Sequence, residues 1–196
     1  MAKIIQLKSQ TGYQLKITLS SIKPEIWRRF TVSADIKLSD LSRVIQTVMG
    51  WTNTHLHQFI TKDRTLYAMP DEENSEFITD YRKVHLNQIL TKVKQSIVYE
   101  YDFGDGWEHK IVLEKILQDY KDKHPVCLAG RRECPPEDCG GPFGYQRLLD
   151  TISDPENPEY EDVLDWLGDG WDPKFFDETE ISEKLKKKNF GCVDLY

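Results

Sequence analysis

Several absences bound what this chain of 196 residues does. No uncharged apolar run approaches the roughly 20 residues of a membrane-spanning helix. The opening Met1-Ala2-Lys3-Ile4-Ile5-Gln6 lacks the apolar core of a secretory leader. Positive charge is in deficit: 26 Lys and Arg face 33 Asp and Glu, for a formal charge of −7 and a pI near 5.3. That balance disfavours a general binder of nucleic acid or of an anionic membrane, because phosphate contacts need positive surface. The G-x-S-x-G elbow, the P-loop and H-E-x-x-H are missing, and the cysteines do not form the tight C-x-x-C of a zinc knuckle. With neither leader nor span, the chain reads as cytoplasmic and non-membrane. Cys127, Cys134, Cys139 and Cys192 are then thiols or metal ligands before they are disulfides.

What is present describes a folded domain. Hydrophobic residues make up 39% of the chain, and five Trp with nine Tyr are too many for a disordered segment. Tyr13, Leu15, Ile17 and Leu19 alternate with polar residues and predict a strand, followed by a turn at Ser20 to Pro24 and a second strand from Glu25 to Val32. Leu38, Leu41, Val44, Ile45, Val48 and Met49 recur at helical spacing, with Ser39 as the expected N-cap and Gly50 closing the end. Strands are expected at His55 to Thr61 and at Thr65 to Ala68. An acidic loop follows at Met69 to Ser75, then a short helix at Val84 to Leu90. Ile97 to Phe103 and Trp107 to Leu117 form the strongest hairpin signal. Gln118 to Gly141 reads as loop, followed by helices at Phe143 to Ile152, Tyr160 to Leu167 and Ile181 to Lys188. The expectation is one α+β domain over residues 1–196, its core at about 10–180. A mixed, mostly antiparallel sheet in the N-terminal two-thirds packs with helices, and the C-terminal third is helical.

Side-chain parity sharpens the hairpin. Ile97, Tyr99, Tyr101 and Phe103 share one face of its first strand; Trp107, His109, Ile111 and Leu113 share one face of its second. A two-residue Asp105-Gly106 turn would set the two apolar sets on opposite sides of the sheet. A three-residue loop, Gly104-Asp105-Gly106, pairs Phe103 with Trp107 and Tyr101 with His109, and turns His109 inward.

Tyr99-Glu100-Tyr101-Asp102-Phe103-Gly104-Asp105-Gly106-Trp107-Glu108-His109, with Cys127-Leu128-Ala129-Gly130 and Cys134-Pro135-Pro136-Glu137-Asp138-Cys139-Gly140-Gly141, resembles the plasmid pRiA4b ORF-3-like family. Ile26-Trp27-Arg28-Arg29, Trp51 with His55-Leu56-His57-Gln58-Phe59, and Asp172-Pro173 with Phe176-Asp177 extend the resemblance over roughly residues 10 to 180. It implies an α+β fold and an association with plasmids and mobile elements, and no established activity.

Three kinds of site are open. One is a zinc-type metal centre: His55 and His57, at i and i+2 on an expected strand, point the same way, and His109, Cys127, Cys134 and Cys139 supply further nitrogen and sulfur ligands. The structural alternative makes His109 a core histidine and the cysteines packing residues. The second is acid–base or thiol catalysis by Asp102, Asp105, Glu137 or Asp138 with His109, or by Cys139 near a helix N-terminus, where a thiol pKa falls. The third is a binding or interaction module centred on residues 99–141, its aromatics Trp27, Trp51, Tyr101 and Trp107 lining a groove for a protein or peptide partner. Nucleic acid, through Arg28, Arg29, Arg131 and Arg132, is a rival partner opposed by net charge. The binding module is the leading expectation; a metal-dependent enzyme and a nucleic-acid-binding accessory protein are the alternatives.

Overall fold

A computed structural model describes residues 10–71 and 76–193. Eight strands form one sheet: β1 (Gly12–Leu19), β2 (Trp27–Ser33), β3 (His57–Ile60), β4 (Leu66–Ala68), β5 (Ile78–Asp80), β6 (Ser96–Tyr101), β7 (Trp107–Leu117) and β8 (Val126–Arg131). Their order is β5-β4-β3-β6-β7-β1-β2-β8, every neighbouring pair antiparallel except β4 and β5. The helices are α1 (Leu38–Met49), α2 (Leu86–Ile89, a single turn), α3 (Gly141–Ile152), α4 (Tyr160–Leu167) and α5 (Glu178–Leu185). The class is α+β, with α3, α4 and α5 following β8 in the last third of the chain.

The apolar period of α1 explains the core. Leu38, Leu41, Val44, Ile45 and Val48 are fully buried with Leu15, Ile17, Phe30, Val32, Tyr99, Ile111 and Leu113 of the sheet. Each such side chain contributes about 1.5–3 kcal/mol by leaving water, so a charge at Val44 would unseat the helix. Gly50 closes α1 in the left-handed region at φ 95°, as expected. Ser39 is not the N-cap: Lys37 holds that position with no side-chain bond. The Leu38 N–H instead donates to the Val84 carbonyl at 2.9 Å, so tertiary pairing does the work of a cap.

Four other expectations change. Val126–Arg131, read as loop, is the edge strand β8 beside β2, and Ile78–Asp80 is a strand where none was expected. The acidic loop at Met69 to Ser75 falls partly on residues 72–75, outside the described residues. The last helix begins at Glu178 because the Asp177 carboxylate caps it, accepting from the Thr179 and Glu180 N–H groups. The hairpin register is offset by two: Tyr101 faces Trp107 and Tyr99 faces His109, leaving Asp102 to Gly106 as the tip. The offset keeps parity, so His109 is inward and fully buried, but Phe103 leaves the strand and is 49% exposed.

Candidate functional site

The site grows from that five-residue tip. Asp102 takes a left-handed φ of 55° and turns the chain out of β6. Its Oδ1 accepts the Gly104 N–H at 2.9 Å and the Asp105 N–H at 3.3 Å, while its carbonyl accepts the Gly106 N–H. One carboxylate oxygen therefore organises the turn. The other, Oδ2, faces His55 Nε2 at 3.8 Å.

The Cys-rich loop closes over the tip. Gly140 donates its N–H to Asp105 Oδ2 at 3.1 Å, and Pro135 accepts from the Trp51 indole at 2.9 Å. Gly141, at φ 69°, lies so close that a Cβ would stand 2.4 Å from the Asp105 carbonyl oxygen; only glycine permits the approach. Glu137 is bound to the end of β6 and to the segment before β3: it accepts from the Tyr101 hydroxyl at 3.0 Å and from the N–H and hydroxyl of Thr52 at 2.8 and 3.0 Å. Asp138, again left-handed at φ 56°, brings Oδ1 to 3.2 Å from His55 Nε2, and Glu137 Oε2 stands 3.9 Å from the same nitrogen. His55 Nε2 is buried among three carboxylates without a hydrogen bond of its own.

Next to it lies a cleft of about 530 Å³ between α1 and the β3–β4–β5 side of the sheet, lined by Asn53, His55, His57, Met69, Tyr81 and Phe103 among others. The His57 ring packs against Tyr81 at 5.5 Å and Tyr99 at 5.6 Å. Both its nitrogens are buried without a partner in good hydrogen-bond geometry. Burial pushes its pKa down to about 4, with the nearby His55 carbonyl opposing the fall and the Arg43 cation adding to it. A larger depression, about 880 Å³, opens beside Thr61, Lys94 and Gln95, but no histidine or cysteine lines it.

The expected site residues disperse. His55 precedes β3, and its ring turns to the carboxylates while that of His57 turns to the tyrosines. His109 is a core residue: its Nδ1 bonds the Tyr99 carbonyl at 3.1 Å, Trp51 meets it edge-on, and burial pushes its pKa down to about 4. Cys127 lies far along the sheet on β8, its backbone bonded to Ser182 of α5, and burial pushes its thiol up to about 11. Burial raises the Cys134 thiol further. Cys139 does not gain acidity near α3: burial, with the Asp105 carboxylate, pushes it up to about 12. Among the described residues, the metal-competent group of three is His55, Asp102 and Asp138, whose donor atoms lie within 4.8 Å of one another. Asp102 and Asp138 were legible as acidic candidates, but their histidine is His55, not His109.

The aromatic candidates and two of the arginines have partners within the fold. Trp51, Tyr101 and Trp107 stack in the core instead of lining a groove, and Trp27 sits under Lys16 and Arg29. Arg28 is buried, donating to the Val48 carbonyl at 2.8 Å, and Arg29 pairs with Glu114. No helix among the described residues is long and apolar enough to cross a membrane.

Residues 11–180 match the plasmid pRiA4b ORF-3-like protein family. An uncharacterised protein of Sinorhizobium fredii is 40% identical over 156 residues, 79% of this chain and 80% of that protein. The crystal structure of a protein of unknown function from Methanosarcina mazei is similar at a TM-score of 0.80 and 36% identity, over 88% of this chain and 98% of that one. With the family's match spanning most of its length and a relative at this identity, the chain belongs to the plasmid pRiA4b ORF-3-like family.

Proposed function

We propose that this protein is a binding module that takes a short peptide segment in the cleft between α1 and β3–β5. The observation that carries the reading is His57: its two ring nitrogens are buried at the cleft wall, and neither has a well-aligned hydrogen bond within the protein. Neutral at physiological pH because burial depresses its pKa, the imidazole offers one N–H donor and one bare acceptor nitrogen. A peptide amide carries the complementary carbonyl and N–H. A buried polar group left unpaired costs about 1–3 kcal/mol, so a ligand supplying both partners recovers it.

The rim favours an apolar side chain on that peptide. Leu56 is 64% exposed and Met69 53%, and both border the cleft with Phe103. Both arginines of the wall are engaged within the protein, since Arg82 grips Asp80 through two nitrogens and Arg43 holds Asp40 at 2.9 Å. Selection from a library of short peptides against the full chain tests the reading. The expected result is enrichment of sequences sharing an apolar residue, bound at least tenfold more weakly by His57→Phe. No enrichment, or equal recovery by wild type and His57→Phe, would overturn it.

A further inference from the structure

We infer that His55, Asp102 and Asp138 form a site for one divalent first-row metal ion of the manganese or zinc type. The site stands on its own observations and does not depend on the peptide cleft, although His55 borders both.

The geometry comes first. Donors placed about 2.0–2.2 Å from one ion stand roughly 3–4.4 Å from one another. His55 Nε2 lies 3.2 Å from Asp138 Oδ1 and 3.8 Å from Asp102 Oδ2, and the three atoms are mutually within 4.8 Å. Small side-chain adjustments bring them onto a common centre. One imidazole nitrogen with two carboxylates is a hard-to-borderline donor set. It favours Mn²⁺ or Zn²⁺ over thiolate-seeking Cu⁺, and the absence of a thiol from the group follows the same rule.

A second observation separates this group from a chance gathering of acids. The Asp102 side chain is only 10% exposed, yet just one of its oxygens is used: Oδ1 accepts two backbone N–H groups, while Oδ2 has no hydrogen bond and faces His55. The facing nitrogen is itself buried and unpartnered. A carboxylate oxygen with no hydrogen bond from the protein and a buried, unpartnered imidazole nitrogen face each other at 3.8 Å, and a cation between them pairs both. Asp138 arrives from the loop that Gly140 ties to Asp105 at 3.1 Å, so two separate segments deliver the carboxylates. Glu137, held by Tyr101 and Thr52 with Oε2 at 3.9 Å from His55, supports the group from outside and adds negative potential.

Calorimetric titration of the chelator-treated 196-residue chain with MnCl₂ and with ZnCl₂ tests the site, with MgCl₂ as the control. The expected result is one equivalent of bound Mn²⁺ or Zn²⁺ at an affinity above that for Mg²⁺. Asp102→Asn keeps the Oδ1 acceptor and suits a left-handed backbone, and it should weaken binding at least tenfold. Asp138→Asn, at a residue whose side chain is 72% exposed, should do the same and carries the test if the first variant misfolds by circular dichroism. Cys139→Ser and His57→Phe should bind as wild type does. The latter separates this site from the cleft, since it abolishes the proposed peptide contact and leaves the metal in place. Absence of binding by both ions would reduce the group to a histidine–carboxylate cluster and overturn the inference. So would undiminished affinity in both Asn variants, or loss of binding in Cys139→Ser.

Discussion

Tyr101, the last residue of β6, donates its hydroxyl to Glu137 at 3.0 Å and accepts the Thr54 N–H at 3.1 Å, so one buried phenol joins the sheet, the segment before β3 and the Cys-rich loop. Burial raises the Tyr101 pKa and keeps that hydroxyl protonated, as a donor to a carboxylate must be. Tyr101→Phe preserves the stack on Trp51 but leaves the Thr54 N–H and the Glu137 carboxylate each short of a partner. The expected cost is about 1–3 kcal/mol, read from urea unfolding. Wild-type stability in the Phe variant would mean the bridge does not hold these segments together.

Stability should fall on mild acidification. His57 and His109 are held to about 4 in the folded protein against 6.5 for an unperturbed histidine, in both cases chiefly through burial. Between those values the unfolded chain binds protons that the native state refuses. Their stabilising effect is therefore complete above about pH 6.5 and declines as pH drops toward 4, on the order of 1 kcal/mol per unit for each histidine. Denaturation midpoints at pH 7.5, 6 and 5 measure the slope, and His57→Phe should flatten it. An unchanged slope in that variant would assign the acid sensitivity to other groups.

Two adjacent arginines should respond differently to the same substitution. Arg28 is buried, and its Nε satisfies the Val48 carbonyl in the last turn of α1, while Nη1 reaches the Trp27 and Arg131 carbonyls. Arg28→Met leaves those acceptors unpaired and should cost about 3 kcal/mol. Arg29→Met breaks a partly exposed pair with Glu114, which also keeps Gln14, and a contact with the Trp27 ring that Lys16 shares, and should cost about 1 kcal/mol. Thermal midpoints of the two variants decide it; equal losses would contradict the different roles drawn from burial.

Much of the architecture was legible because it is periodic. The alternation of β1, the helical stripe of α1 and the bounds of α4 are properties of their own residues. β8 and β5 are not. Val126–Arg131 includes a glycine and an alanine and has little alternation, and it becomes a strand only because β2 offers it an edge. Parity placed His109 on the inner face, but parity repeats every two residues and cannot distinguish registers two apart. The left-handed Asp102, which chooses between them, has no local signature beyond being an aspartate. The same limit applies to the site. Asp102, Glu137 and Asp138 stand out as acids in a turn-rich region, yet their histidine is chosen by where β3 begins. It begins at His57, which frees His55 to turn toward the loop.

The strand order also has a consequence for synthesis. β1 is made first, but one of its two edges pairs with β7, so Leu19 waits for His109 and Gly12 for Leu117. A ribosome adding about 5–20 residues per second needs roughly 5–20 seconds to supply that gap of about 90 residues. Until then the nascent β1–β2 hairpin and α1 carry an unpaired edge and an uncovered apolar face. An inner strand of the finished sheet is thus an aggregation hazard of the growing chain, relieved only when β7 has followed it out of the ribosome.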